Sequence, residues 1–291
     1  MNSIKLFQRG ILLRNLLRHF SIKCGQHQNK TFIRKLSSSF SNPKYTLPSL
    51  VSSLLFIKAL TNDKSDKIII EEADNLYDEA KFGQLHSVIY SHKTSDNPEI
   101  LWRVARSIFE NSRNENDKDR LASLEEALDI VERALEINEQ CWAAHKWKAI
   151  LLDYVWRYKS TKERIIHSFD IKKHMKRAIE LNPKDGTSYY ILGEWCYTFA
   201  DMPWYQRKVA AAIFASPPTS TYEEALSCFE TAEKVEPLFY SMNLLMMGKC
   251  HLKMNNKDEA TKFLKMVLEY PVKTPDDQKA REEAEKLLKT L

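Results

Sequence analysis

The chain has 291 residues, of which 43% are hydrophobic, and a formal net charge of +5. The positive charge lies at one end, because residues 1–62 hold ten of the 44 Lys and Arg and none of the 39 Asp and Glu, which leaves a balance of −5 for the rest. The net charge therefore gives no argument for nucleic-acid binding, and we expect no nucleic-acid partner.

Residues 1–40 are predicted to form a basic leader. They are rich in Arg and Ser and contain no acidic residue. Residues 6–20 can form an amphipathic helix with three arginines among leucines, which is typical of a mitochondrial transit peptide. Arg34 lies two residues before Leu36, the spacing of a matrix-protease site, so we expect removal near Leu36. The alternative is a disordered basic tail.

Residues 41–67 are predicted to link the leader to a folded domain. They include one apolar stretch, LPSLVSSLLFIKAL, at 47–60. Its fourteen residues are fewer than the roughly twenty that a helix needs to cross a bilayer. A helix on a membrane surface, or a segment that packs on the domain, is therefore favoured over a transmembrane span.

Two segments on either side of residue 205 have the residue spacing of a helical hairpin. The first follows W-x-x-L-G-x-x-Y and the second A-x-x-x-F…P, which together define a tetratricopeptide (TPR) repeat. The matching positions are Tyr189, Leu192, Gly193, Cys196, Ala225, Phe229 and Pro237. Gly193 and Ala225 are small enough for two antiparallel helices to approach closely. One hairpin cannot hide its apolar stripe alone, so neighbouring repeats are required.

Similar second helices recur along the chain. Glu139, Pro183, Pro237 and Pro271 follow them at spacings of 44, 54 and 34 residues. Against a unit of 34, the second of these repeats carries about ten extra residues and the third about twenty. A degenerate hairpin with a turn at 82–83, and a helix opened by Asn97-Pro98, precede them.

The C-terminal segment starts with Thr274 as N-cap and Pro275 at the first helical position, and its charged face suits a terminal cap. The sequence thus predicts an all-α, TPR-like solenoid of about five hairpins with a C-terminal capping helix over 68–291.

The twenty extra residues predict an additional helix near 203–215, ended by Pro217-Pro218. Tyr205, Val209, Ala212 and Ile213 form an apolar stripe that is expected to cover something. The helix either plugs the concave groove of the solenoid or forms the wall of a pocket in it. The candidate groove and insert residues are Tyr189, Trp195, Trp204, Tyr205, Arg207 and Lys208.

The ten extra residues coincide with a basic segment, 157–177, which has eight basic residues against two acidic ones. Lys172 and Lys176, like Lys173 and Arg177, are four apart and share one helix surface. Four exposed cations here would suit phospholipid head groups or an acidic protein tail. The alternative is an ordinary solvated helix face.

No pattern for catalysis or metal binding stands out. The five cysteines form no CxxC pair, the eight histidines no HExxH pair, and no two glycines stand close enough for a phosphate-binding loop. We therefore expect no catalytic, cofactor or metal residues, and packed, reduced thiols. A hidden catalytic group is the remaining alternative, which would make the chain a cryptic enzyme.

Two segments, NPEILWRVARSIFE and WYQRKVAAAIFASPPTSTYEEAL, closely resemble the regulator of microtubule dynamics family of TPR-like proteins, and the resemblance runs from about Ala73 to the end. The basic leader looks most like the member associated with mitochondria as well as microtubules. The resemblance implies a non-enzymatic protein linked to microtubules or the spindle, with tubulin as partner. The resemblance also implies an alternative function, because the TPR domain of a relative binds lipid. In this alternative the chain is a module at mitochondria that binds anionic phospholipid or tethers membranes.

The leader and the resemblance imply different locations. The leader indicates the mitochondrion, whereas the resemblance implies cytoplasm, microtubules and spindle. A protein imported fully into the matrix cannot contact cytosolic microtubules. Either the protein is dually located or one of the two interpretations fails.

Overall fold

The computed structural model describes residues 64–214 and 217–291, and no strand occurs within them. The leader and most of the linker lie outside these residues. The helices are α1 (64–78), α2 (Phe82–Ile89), α3 (Pro98–Asn111), α4 (Asp117–Ile137), α5 (Trp142–Lys159), α6 (Thr161–Ile166), α7 (Ser168–Leu181), α8 (Gly186–Ala200), α9 (Trp204–Ile213), α10 (Tyr222–Val235), α11 (Ser241–Lys253), α12 (Lys257–Glu269) and α13 (Pro275–Leu288).

The fold consists of five helix pairs, and each pair is one repeat. The predicted TPR-like solenoid is confirmed. The pairs are α1–α2, α3–α4, α5–α7, α8–α10 and α11–α12, and α13 packs on the last pair as a cap. Helix α1 is already helical at residue 64, four residues before the expected start of the domain. In this described part of the chain, no helix is long and apolar enough to cross a membrane.

The helix starts follow the predicted caps in two places. The Asn97 side chain accepts a hydrogen bond from the Glu99 amide at 2.9 Å, and Pro98 opens α3. Thr274 and Asp277 form a reciprocal capping box at the start of α13. Each cap satisfies amide groups that the first turn of a helix leaves without a partner.

The predicted turn at 82–83 is wrong by about two residues. Both residues belong to the first turn of α2, and the chain reverses at 79–81 instead. Ala80 has φ 54°, and the Lys81 amide donates to the Leu76 carbonyl at 2.9 Å. This bond is the mark of a Schellman motif, which usually places glycine in the left-handed position. Because alanine occupies that position here, the glycine at 83 was a misleading signal.

The fourth hairpin is held together by a close helix contact. A Cβ atom placed on Gly193 of α8 would lie 2.6 Å from the Phe229 ring of α10. Phe229 and Ala225 are both fully buried. The small residues identified in the sequence therefore do let these two helices approach, as predicted.

The two insertions lie in successive hairpins and contact each other. Ser160 ends α5 with an extended backbone, and its hydroxyl accepts from the Glu163 amide at 3.1 Å to start the short helix α6. Helix α9 of the next hairpin packs against α6. Phe169 and Phe214 meet edge to face, 5.2 Å between ring centres, where the two insertions end.

The predicted apolar stripe of α9 is wrong. Tyr205 and Val209 are 55% and 40% exposed, whereas Ala210 is buried. Helix α9 packs against α6 and buries the small side chain of Ala210, not the predicted stripe.

Candidate functional site

The basic residues of segment 157–177 divide into two groups. Arg157 and Arg164 both donate to Asp153, at 2.5 and 2.7 Å. Lys159 pairs with a carboxylate of α4 at 2.6 Å. These three cations are neutralised within the fold. The charge that remains available is on Lys162 of α6 and on α7.

Two of the four predicted cations on α7 are exposed to solvent. They are Lys173 and Lys176, and neither forms an ion pair or hydrogen bond within the described part of the chain. Phe169, at the start of the same helix, is 43% exposed. We call the surface of Phe169, Lys172, Lys173, Lys176 and Arg177 the α7 face. These five residues line one open depression of about 530 Å³, together with Glu139 and Glu180.

The other two predicted cations are partly buried, so the expectation of four exposed cations is wrong. The Lys172 ammonium lies 4.0 Å from the ring centre of Trp195. Arg177 donates to Glu180 and to Gln140, each at 3.0 Å. The aromatic partner comes from α8 and the amide partner from the turn between α4 and α5, which the spacing within α7 does not reveal.

Two histidines lie in the same depression and hydrogen-bond to each other. The Nδ1 atoms of His145 and His174 are 2.8 Å apart, and His145 Nε2 lies 2.9 Å from the Glu139 carbonyl oxygen. A carbonyl can only accept, so His145 carries its proton on Nε2 and accepts at Nδ1 from His174. Burial, helped by Lys148 nearby, lowers the pKa of His174 to about 4. Burial also lowers the pKa of His145, so both rings are neutral near pH 7.

A second depression, the polar cleft, lies between α5, α6, α8 and α9. Its volume is about 80 Å³, and its walls include Asp153, Arg157, Arg164, Glu194, Trp195 and Gln206. Trp195 also donates its indole N–H to the Ser168 carbonyl at 2.8 Å. Burial raises the pKa of Glu194. The cleft is far smaller than the ~300–1,000 Å³ of typical small-molecule sites.

Six residues were predicted to line the groove or the insert. Within the described part of the chain, Trp195 is the one of these six that lies in a wall of the polar cleft. Tyr189 is half-buried against the core. Trp204 and Tyr205 are 69% and 55% exposed. The Arg207 guanidinium donates to the Met202 carbonyl at 2.8 Å, and so joins the end of α8 to α9.

The exposed edge of α9 combines aromatic and basic groups. The Lys208 ammonium lies 4.9 Å from the ring centre of Trp204, and the Trp204 and Tyr205 rings meet at right angles. Tyr205 and Val209 continue the edge. A helix edge of this kind remains available for contact with another surface.

The polar cleft was missed by sequence reasoning. Asp153 and Arg157 are four apart, a spacing that favours an ion pair on one helix. Arg164 reaches the same carboxylate only because α6 folds back beside α5. Glu194 gives no signal at all, since a single acidic residue in a helix is ordinarily solvent-exposed.

A network of side chains spans the inner side of the solenoid. Its members are Arg113, Tyr154, Tyr190, Glu194, Tyr240 and Asp276. Arg113 and Tyr240 both donate to Asp276, at 3.1 Å each. The Tyr190 and Tyr240 rings meet edge to face at 5.1 Å. These contacts run from the end of α3 to the start of α13, so they occupy the groove that a TPR protein could offer to a peptide.

In the described residues, no group of three or more His, Cys, Asp or Glu side chains is arranged to hold a metal ion.

Comparison with solved structures identifies the fold. A thermophilic TPR protein of Thermus thermophilus, TTC0263, aligns over 76% of this chain and 98% of its own with a TM-score of 0.52 and 15% sequence identity. At this identity the likeness concerns the fold alone, and it agrees with the five hairpins described above.

Comparison of sequences identifies the family. Regulator of microtubule dynamics protein 1 of Pongo abelii is 46% identical over 76% of this chain and 71% of its own length. Regulator of microtubule dynamics protein 2 of Bos taurus is 31% identical over 77% of this chain and 55% of its own length. The family model for regulator of microtubule dynamics protein 1-3 matches residues 69–291. The chain therefore belongs to the family of regulators of microtubule dynamics.

Proposed function

We propose that this chain is a non-enzymatic interaction protein that associates with microtubules by presenting its α7 face to the acidic surface of tubulin. The observation that carries the proposal is the pair Lys173 and Lys176, which are exposed and have no carboxylate partner in the described residues. The partly buried Lys172 adds to the positive potential, whereas Arg177 is paired with Glu180.

Local charge is needed because residues 63–291 carry a net −5. A surface with this overall balance repels an acidic partner at long range. The exposed cations of α7 reverse the sign locally, and they act within the Debye length of about 8 Å at physiological ionic strength. The proposal therefore places the contact on one helix face of the domain.

The filled inner side supports an external site. A peptide could enter the groove only by displacing the Arg113–Asp276 ion pair and the tyrosines beside it. Breaking such a contact leaves charged groups without partners, which is costly. The α7 face needs no rearrangement of this kind before it meets a partner.

Co-sedimentation with taxol-stabilised microtubules tests the proposal. The double variant Lys173→Glu/Lys176→Glu should bind at least tenfold more weakly than the wild type, and added salt should weaken wild-type binding. The matched control is Lys262→Glu/Lys265→Glu, two exposed lysines of α12 with the same spacing and the same change in net charge. Equal loss of binding in both variants would show that only net charge matters and would contradict the proposal.

A membrane surface is the second candidate partner, and the exposed edge of α9 favours it. Trp204, Tyr205 and Lys208 are the residue types that bind at the interface of a bilayer with water. The polar cleft, at about 80 Å³, does not suit an enclosed lipid. Flotation with vesicles that contain anionic phospholipid tests this candidate. If the wild type binds and the Trp204→Ala/Tyr205→Ala variant does not, a peripheral membrane contact is supported. If the wild type does not bind, this contact is excluded.

Dual location is a further part of the proposal, with residues 1–40 directing one pool of the molecules to mitochondria. The composition of this segment supports it. A fusion of residues 1–60 to a fluorescent protein should accumulate in mitochondria. Diffuse cytosolic fluorescence would favour the alternative, a basic tail on a protein that acts at cytosolic microtubules.

A further inference from the structure

Two cysteines of the fourth hairpin lie in one hydrophobic cluster. Cys196 of α8 is buried in it, and the half-buried Cys228 of α10 packs against it. The two thiols are close enough for each to shift the pKa of the other. Both are free thiols in the structure. The repeat fold does not need this pair, because the close helix contact is made by Gly193 and Phe229.

The register of the two helices explains why the thiols meet. Helices α8 and α10 run antiparallel and touch most closely where Gly193 faces Phe229. Cys196 is three residues further along α8, and Cys228 is one residue earlier on α10. With a rise of about 1.5 Å per residue, these steps bring the two residues to within about 3 Å of the same level along the hairpin. Cys196 and Cys228 therefore lie at nearly the same level of the hairpin, close to its tightest helix contact.

The surroundings make one of the two thiols acidic. The neighbouring Cys228 thiol lowers the pKa of Cys196 to about 7, with help from Ser220 and the Lys172 ammonium and against the opposing effect of burial. By contrast, burial raises the pKa of Cys141 and of Cys250 to about 12. The thiolate is the reactive form of cysteine. The pair in the fourth hairpin is thus chemically unlike the other two thiols of the described residues.

We infer that Cys196 and Cys228 form a reversible oxidation site that hydrogen peroxide converts to a disulfide. The Cys196 thiolate attacks a peroxide oxygen, the O–O bond breaks, and hydroxide leaves, which gives a sulfenic acid. The Cys228 thiol then attacks that sulfur, the S–O bond breaks, and water leaves as the S–S bond forms. The two thiols lose two electrons in total and the peroxide gains them. A small dithiol reverses the change by exchange.

The disulfide would close a loop around the insertion. Residues 197–227 lie between the two cysteines and contain α9 with its exposed Arg207 and Lys208. Trypsin cleavage after either residue would separate the chain into two pieces that the disulfide still joins. Oxidation therefore has a readout independent of microtubule binding, and the inference does not rest on the proposed function.

The test treats the full chain with hydrogen peroxide, blocks remaining thiols with iodoacetamide, and digests it lightly with trypsin. We expect fragments that stay joined without reductant and separate with dithiothreitol. Mass spectrometry should show a peptide pair linked through Cys196 and Cys228, two hydrogens lighter than the free peptides. The variants Cys196→Ser and Cys228→Ser should each abolish the link.

Cys250→Ser is the matched control, since Cys250 is a buried neighbouring thiol and the substitution is the same. It should leave the link intact. Circular dichroism confirms that each variant is folded. Absence of the Cys196–Cys228 link in the folded wild type, or sulfinic acid at Cys196 with no disulfide, would overturn the inference. A link that persists in the Cys196→Ser variant would overturn it equally.

Discussion

Arg113 and Asp276 lie 163 residues apart in the sequence, and their guanidinium and carboxylate groups are 3.1 Å apart in the fold. The same guanidinium binds Glu110 at 2.5 Å, so it bridges two carboxylates. Glu110 is nearly inaccessible, and its burial raises its pKa. A solenoid ordinarily has contacts between neighbouring repeats only. This ion pair joins the second hairpin to the capping helix and makes the domain less like a linear array.

Replacing Asp276 with Ala tests that connection. The free energy of unfolding should fall by about 1 to 2 kcal/mol, because Arg113 loses a partly buried partner and Tyr240 loses an acceptor. Hydrogen exchange in α13 should become faster. The control is Asp258→Ala, an exposed acidic residue in the first turn of α12, which matches the position of Asp276 in its own helix. Equal effects of the two substitutions on α13 would contradict the long-range role.

Gly193→Ala tests the close helix contact. The added methyl group would lie 2.6 Å from the Phe229 ring, so the hairpin must shift, and we expect a loss of about 1 to 3 kcal/mol in unfolding free energy. Gly83→Ala is the control, because nothing lies within 4 Å of a Cβ there and alanine favours a helix by up to about 1 kcal/mol. Urea denaturation measures both. A stabilised Gly193→Ala variant would show that the contact is looser than described.

Much of the fold could be predicted because its signals are local. The spacing of small residues at Gly193 and Ala225, and the caps at Asn97 and Thr274, are all readable within one repeat. The turn at Ala80 was misplaced because alanine adopts a conformation that usually belongs to glycine. The correct predictions and the misplaced turn both depend on interactions between residues that are close in the sequence.

The candidate site was less predictable because its character depends on tertiary partners. The α7 cations were visible from their spacing of four. Nothing within α7 shows that Trp195 lies beside Lys172 or that Gln140 binds Arg177. The prediction of a buried stripe on α9 was wrong for the same reason, because contact with α6 determines which face of α9 is buried. The Arg113–Asp276 pair has no local signal whatever.

The histidine pair predicts a dependence of stability on pH. The pKa of His174 is about 4 in the folded state against 6.5 for an ordinary histidine, because of burial and then Lys148, His145 and Lys173, with Asp170 opposing them. The folded state binds this proton less readily than the unfolded state. The stability that His174 contributes is therefore complete above pH 6.5 and is lost as the pH falls towards 4.

His174→Asn isolates that contribution. The amide of asparagine can still donate to His145 Nδ1 but does not titrate. The full shift corresponds to about 3 kcal/mol, and partial exposure reduces the expected effect to about 1 to 2 kcal/mol. Urea denaturation between pH 7 and pH 4 should show a shallower loss of stability in the variant than in the wild type. Parallel curves would mean that His174 does not titrate differently in the folded state.

Contact between the α7 face and the microtubule can be measured by lysine footprinting. Brief acetylation of the free and the microtubule-bound protein, followed by mass spectrometry, compares Lys173 and Lys176 with Lys262 and Lys265, all four of which are exposed. We expect microtubule binding to protect Lys173 and Lys176 severalfold from acetylation and to leave the acetylation of the α12 pair unchanged. Equal acetylation of Lys173 and Lys176 in the free and bound protein would contradict this contact.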